Sequence, residues 1–136
     1  MEAPPYLLSR PPGLQIALAV GGPVVLGAIC GVLLGVSEIA YTVLSLLAIG
    51  GGIAAGYEHP SGDEGAVRGF CGGIVFGTMI VAVSAVSGMD PKAQLPDPPG
   101  FLPVLTTILG ILFGAIGGWL RARHDRRERL SARPAS

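Results

Sequence analysis

"GAVRGFCGGIVFG", residues 65–77, sets a glycine at every fourth position: Gly65, Gly69, Gly73 and Gly77. In water glycine is a poor helix former, costing roughly 0.8–1.0 kcal/mol per residue against alanine. Four of them on one stripe of an apolar segment therefore need a reason. A bilayer supplies it. Lipid tails are as apolar as leucine, so hydrophobicity gives two spans no cause to associate. Small residues at four-residue spacing let backbones approach and gain dispersion contacts. The stretch reads as the contact face of a membrane-spanning helix.

The rest of the chain has the composition this reading requires. Of 136 residues, 50% are hydrophobic and 13% charged, with a mean hydropathy of +0.62. A soluble domain carries about 25% charge, so there are too few charged groups here to coat a globular surface. The length suits one compact unit. Charges bound four uncharged stretches, 11–37, 39–57, 69–89 and 98–120. A helix needs ~20 residues to cross the hydrocarbon core, with a range of about 17–25, and all four qualify. No period-two alternation is present, which argues against a membrane β-barrel. The expected fold is all-α: an integral membrane four-helix bundle packed through glycine stripes. Its spans fall at about 14–36, 38–57, 66–88 and 101–121. The bundle thus occupies 14–121, between an N-terminal segment, 1–13, and a basic tail, 122–136. The first apolar run is longer than a signal-peptide core of about 7–15 residues, and Glu2 and Arg10 both precede it, so it is expected to be a retained span. Pro23 lies within it and cannot donate to the Ala19 carbonyl, so a kink is expected there.

The other spans carry small-residue stripes too. Span one has Gly27, Gly31 and Gly35; span two has Ser45, Gly52 and Gly56; span four has Gly110, Gly114 and Gly118. Such stripes can also line a pore in an oligomer. A water-filled path usually shows polar or ionisable groups at membrane depth. Here the deep polar groups are Ser45, Thr78, Ser84, Thr106 and Thr107, hydroxyls that a helix backbone readily satisfies. Packing is the favoured reading. "GAICGVLLG" at 27–35 also aligns with "GFCGGIVFG" at 69–77, three glycines in register, as a parallel internal repeat would.

Orientation follows the basic residues. With both termini inside, the inner segments hold Arg10, Arg68, Arg121, Arg123, Arg126, Arg127, Arg129 and Arg133, and the outer links hold only Lys92. The tail arginines Arg121, Arg123, Arg126, Arg127 and Arg129 suit the negative end of a helix dipole. They would also attract anionic lipid headgroups. Trp119 lies where an interfacial anchor belongs.

Signs of chemistry are few. Residues 50–55 fit the spacing G-x-G-x-x-A, but inside an uncharged span, without the strand–turn–helix context of a dinucleotide site. Glu58, His59, Asp63, Glu64 and His124 fall on one side and have the donor types of a metal site. The competing reading is a solvated turn, with Asp63 and Glu64 at the positive end of span three and Glu64 pairing with Arg68 four residues on. Cys30 and Cys71 differ in membrane depth and should stay unpaired. No nucleophile, base and orienting group stand together, and no cofactor is expected. A short tail on a membrane anchor offers no nucleic-acid reading element.

The segment 50–73, "GGGIAAGYEHPSGDEGAVRGFCGG", resembles a class of small prokaryotic four-span proteins with a glycine-zipper core and no assigned activity. In these a GG-x-x-A-G span end leads through a short polar turn into G-A-x-x-G. The matching residues are Gly51, Gly52, Ala55, Gly56, Gly65, Ala66 and Gly69. The resemblance implies a plasma-membrane protein. The functional expectation is a non-enzymatic structural or interaction module whose partners are the bilayer and a second copy or another membrane protein. The alternative is a small oligomeric channel, transporter or holin-like permeabilising protein.

Overall fold

The computed structural model describes residues 5–132. Four helices account for most of them: α1 (Pro12–Val36), α2 (Glu38–Tyr57), α3 (Gly62–Ser87) and α4 (Phe101–Ser131). Each is long and apolar enough to cross a membrane. A 3-10 turn, Leu7–Ser9, precedes them.

The helix ends have local causes. Proline opens α1, where its fixed φ and missing N–H cost nothing. Ser37 caps α2, its Oγ accepting from the Ala40 N–H at 3.3 Å. Ser61 caps α3 in the same way, accepting from Glu64 N–H at 3.3 Å. Ser61-Gly62-Asp63-Glu64 has the S-x-x-E spacing of a capping box. The helix therefore starts at Gly62, earlier than the expected 66. It ends at Gly88, whose φ of +67° is the left-handed conformation that favours glycine. At the other extreme α4 does not stop where its apolar run ends. It continues through Arg121 to Ser131, so the basic tail begins as about 15 Å of further helix.

Pro23 acts less simply than a kink. The preceding turn, Ala17–Gly21, is π-helical, and the Gly22 N–H donates to the Ala17 carbonyl. Leu18 thereby loses its usual donor, and its next candidate is Pro23, which has none. Arg68 fills the gap from α3, its Nη2 donating to the Leu18 oxygen at 2.9 Å. The expected Glu64–Arg68 pair is not formed: no salt bridge involves Arg68 among the described residues. The energies explain the choice. An exposed i,i+4 ion pair is worth about 0.3–0.5 kcal/mol, whereas a carbonyl on a lipid-facing turn has no water to donate to it and costs several kcal/mol if left unsatisfied.

α3 and α4 form the central pair; α1 packs mainly on α3 and α2 mainly on α4. At the end holding the 88–100 link, Cys30, Leu34, Ile80 and Leu102 form a small apolar core, with Ala93 and Leu95 packed against it. The Lys92 N–H fastens that link to the Leu34 carbonyl at 2.7 Å. Elsewhere the large apolar side chains, Leu46, Leu47 and Val86 among them, point outward. Only 6% of the α2 span is buried inside the protein. In water such a surface would drive aggregation; in lipid it is what a multi-pass membrane protein presents.

Candidate functional site

Three features of the bundle bear on function: a spine of glycine contacts, a cleft beside it, and a polar clasp at the end carrying the termini.

The spine is the α3–α4 contact. A Cβ added at Gly69 would overlap the Gly110 carbonyl oxygen, and one at Gly110 would overlap that of Gly69. Gly65 and Gly114 stand in the same reciprocal relation. Gly73 lies against the Thr106 carbonyl, Gly77 against Pro103 and the Thr106 hydroxyl, and Gly118 against the Ser61 carbonyl. Thr106 Oγ1 crosses the interface to donate to the Gly73 carbonyl at 2.8 Å. On the other side of α3, a Cβ at Gly27 would sit 2.7 Å from the Phe76 carbonyl oxygen, and one at Gly31 would sit 2.8 Å from Val83 Cβ. A Cβ at Gly35 would sit 2.6 Å from the Cβ of Met89 on the link. Gly56 lies against the Gly114 backbone.

Gly52 departs from this pattern. A Cβ there would meet only Phe113 Cβ, at 3.9 Å, an ordinary contact. The α2–α4 approach depends on Gly56 and on Gly117, the latter outside the expected stripe, where a Cβ would overlap the Ile53 carbonyl oxygen. One residue turns a helix by about 100°. Gly118 therefore faces α3 while Gly117 faces α2, and two faces need two sets of small residues. The adjacent glycines at 117–118 were the signal for this.

Gly52 belongs to the wall of the cleft. The cavity measures about 420 Å³ and draws its lining from all four helices. That lining is apolar apart from Tyr41, Ser45, Thr106 and one charged side chain, Arg68. Besides its bond to Leu18, Arg68 has a buried Nε without a hydrogen-bond partner.

The clasp joins the N-terminal segment to the ends of α2 and α4. Tyr6 Oη donates to Asp125 Oδ2 at 2.5 Å. Arg121 Nε donates to Asp125 Oδ1 at 3.1 Å. The Arg121 guanidinium stands 4.3 Å over the Tyr6 ring and 5.6 Å over the Tyr57 ring. Arg10 pairs with Glu58 at 2.7 Å, and the Leu7 N–H donates to the Glu58 carbonyl at 3.0 Å. The bond to the Asp125 carboxylate, with burial adding to it, raises the Tyr6 phenol above its ordinary pKa.

This clasp corrects the reading of Arg121 as a headgroup contact. Its side chain is only 8% exposed and turned into the protein. Desolvation is tolerable there because a carboxylate and two aromatic faces surround the charge. Arg126, Arg127 and Arg129 are exposed, and so is Arg123, whose guanidinium lies 5.3 Å over the Trp119 ring. Arg133 lies outside the described residues. The possible metal ligands go separate ways. Glu58 is held by Arg10, His59 is buried with Nδ1 3.0 Å from the Ala55 carbonyl, and His124 lies 3.2 Å from Glu128. Among the described residues no group of three or more such side chains is placed to hold a metal. Cys30 is buried, Cys71 is exposed, and both are free.

No family model, curated protein or solved structure matches this chain.

Proposed function

We propose that this multi-pass protein is a non-enzymatic structural or interaction module of the plasma membrane, with both termini cytoplasmic. One observation carries the reading. The α3–α4 contact is made backbone to backbone, and Thr106 at its centre gives its one hydroxyl proton to the Gly73 carbonyl across the interface at 2.8 Å, closer than the Leu102 carbonyl of its own helix at 3.1 Å. Thr107 likewise donates to Pro103. Polar groups at this depth tie helices together, which supports a rigid scaffold over a gated polar path. The exposed apolar faces meet lipid, a second copy or another membrane protein. Arg123, Arg126, Arg127 and Arg129 meet anionic headgroups, each worth ~1 kcal/mol near the surface.

Reconstitution into liposomes tests this. Vesicles loaded with a self-quenching dye and a potassium gradient should hold both at high protein density. Protein-dependent, saturable leakage of either would overturn the scaffold reading in favour of the permeabilising one.

A further inference from the structure

We infer that the cleft is a binding site for one acyl chain of an anionic membrane lipid, with the acidic headgroup on Arg68. The argument begins with the cavity's size. At about 420 Å³ it lies inside the range of ligand pockets, about 300–1,000 Å³. Its shape follows from its lining. On α3 it runs from Arg68 to Ile80, about 18 Å of helix at 1.5 Å per residue. That is close to one leaflet of a hydrocarbon core about 30 Å thick. An acyl chain entering at the Arg68 level would lie along the cleft for one leaflet's depth.

The polarity matches the same occupant. Apart from the hydroxyls of Tyr41, Ser45 and Thr106 the walls are aliphatic, aromatic or glycine, and the charge is confined to the Arg68 end. Arg68 is a cation without a carboxylate partner among the described residues: Glu58 is taken by Arg10, and neither Asp63 nor Glu64 reaches it. One nitrogen serves Leu18, and Nε is buried without a hydrogen-bond partner. Arg68 lies about 9 Å of helix beyond Gly62, where α3 begins. With α3 entering the membrane near Gly62, this is the depth of a headgroup–acyl boundary. Nη1 makes no hydrogen bond among the described residues and is not enclosed, and with the second Nη2 proton it gives the guanidinium edge that phosphate oxygens recognise. The π turn and Pro23 contribute by holding the side chain through the Leu18 carbonyl. The inference is independent of which side of the membrane the termini face.

Gly52 allows the chain and the headgroup to be tested separately. Its missing side chain leaves space in the cleft wall, with Phe113 at ordinary contact distance. Gly52→Leu should fill that space without moving a helix. Arg68→Gln keeps a donor for Leu18 and removes the charge; Arg68→Lys restores the charge. The full chain is placed in nanodiscs of equimolar phosphatidylglycerol and phosphatidylcholine, extracted into detergent, and weighed intact by native mass spectrometry. The wild type should retain phosphatidylglycerol over phosphatidylcholine by about fivefold, and Arg68→Gln should bring the preference near unity. Arg68→Lys should restore most of it. Gly52→Leu should reduce retention of both lipids. Equal retention of the two lipids by the wild type would overturn the headgroup assignment. Unchanged retention in Gly52→Leu would overturn the cleft as the chain site. A wild-type dimer that Gly52→Leu converts to monomer, without change in bound lipid, would assign the cleft to a second copy and overturn the inference.

Discussion

Tyr6 and Asp125 stand 119 residues apart and share the shortest side-chain hydrogen bond of the clasp. Nothing in local spacing signals such a pair, since hydropathy reports which segments are apolar and not which polar ends will meet. Arg121 shows the consequence. Its position after an apolar run reads as an interfacial cation, but tertiary contact draws it inward against Tyr6 and Tyr57. Tyr6→Phe removes the hydroxyl while keeping the ring under the guanidinium. It should lower thermal stability in detergent by about 1 kcal/mol, the usual net worth of a partly exposed hydrogen bond. The phenol also sets a pH limit. Its folded pKa is raised, so its contribution is complete below the unfolded value near 10 and is lost as pH rises through the folded value. Wild-type stability should therefore fall more steeply above pH 10 than that of Tyr6→Phe. Parallel melting curves over that range would show that the bond contributes nothing.

The helices themselves were legible, because their length and their bounding charges are written locally. Ser61 marks the limit of that legibility. Its S-x-x-E spacing places the start of α3 at Gly62, but a turn-rich context of His59, Pro60, Gly62 and Asp63 hides it. Ser61→Ala should cost about 1 kcal/mol, measured as a lower melting temperature without loss of the bundle. Which face of a helix meets which neighbour is harder to read than its ends. A four-residue stripe names a face, yet α4 uses two, and Gly117 sits on the one that no stripe marks. Gly73→Leu and Gly117→Leu both place a side chain onto a neighbouring backbone. Each should destabilise by about 1–3 kcal/mol, as overpacking does, although leucine is a much better helix former than glycine. Val67→Leu, at a side chain 64% exposed on α3, is the control and should be near neutral. Gly52→Leu should also be tolerated. If Gly117→Leu were neutral and Gly52→Leu damaging, α2 would be rotated from the position described.

At the scale of the whole molecule, the proposed insertion direction rests on charges that the fold has partly withdrawn from solvent. Eight arginines and one lysine make up the basic residues, and the lysine is Lys92 on the 88–100 link. Arg10, Arg68 and Arg121 end up engaged with Glu58, the Leu18 carbonyl and Asp125. The positive-inside bias nevertheless acts during insertion, when those partners are not yet assembled. Burial in the finished bundle does not weaken it. On the proposed topology the even number of spans then keeps both ends of the bundle on the cytoplasmic side, with Lys92 outside. Both native thiols are suited to a labelling test: Cys30 is fully buried, and Cys71 lies about 13 Å of helix past Gly62, at lipid depth on the proposed topology. A membrane-impermeant maleimide should therefore leave the wild type unlabelled in intact cells. Lys92→Cys should label from outside. Ser131→Cys, on the exposed last turn of α4, should label only after permeabilisation. The reverse order would invert the topology. Labelling of both variants in intact cells would place the two sites on one side, and one of the four helices would then have to lie outside the membrane, with its apolar face in need of another cover.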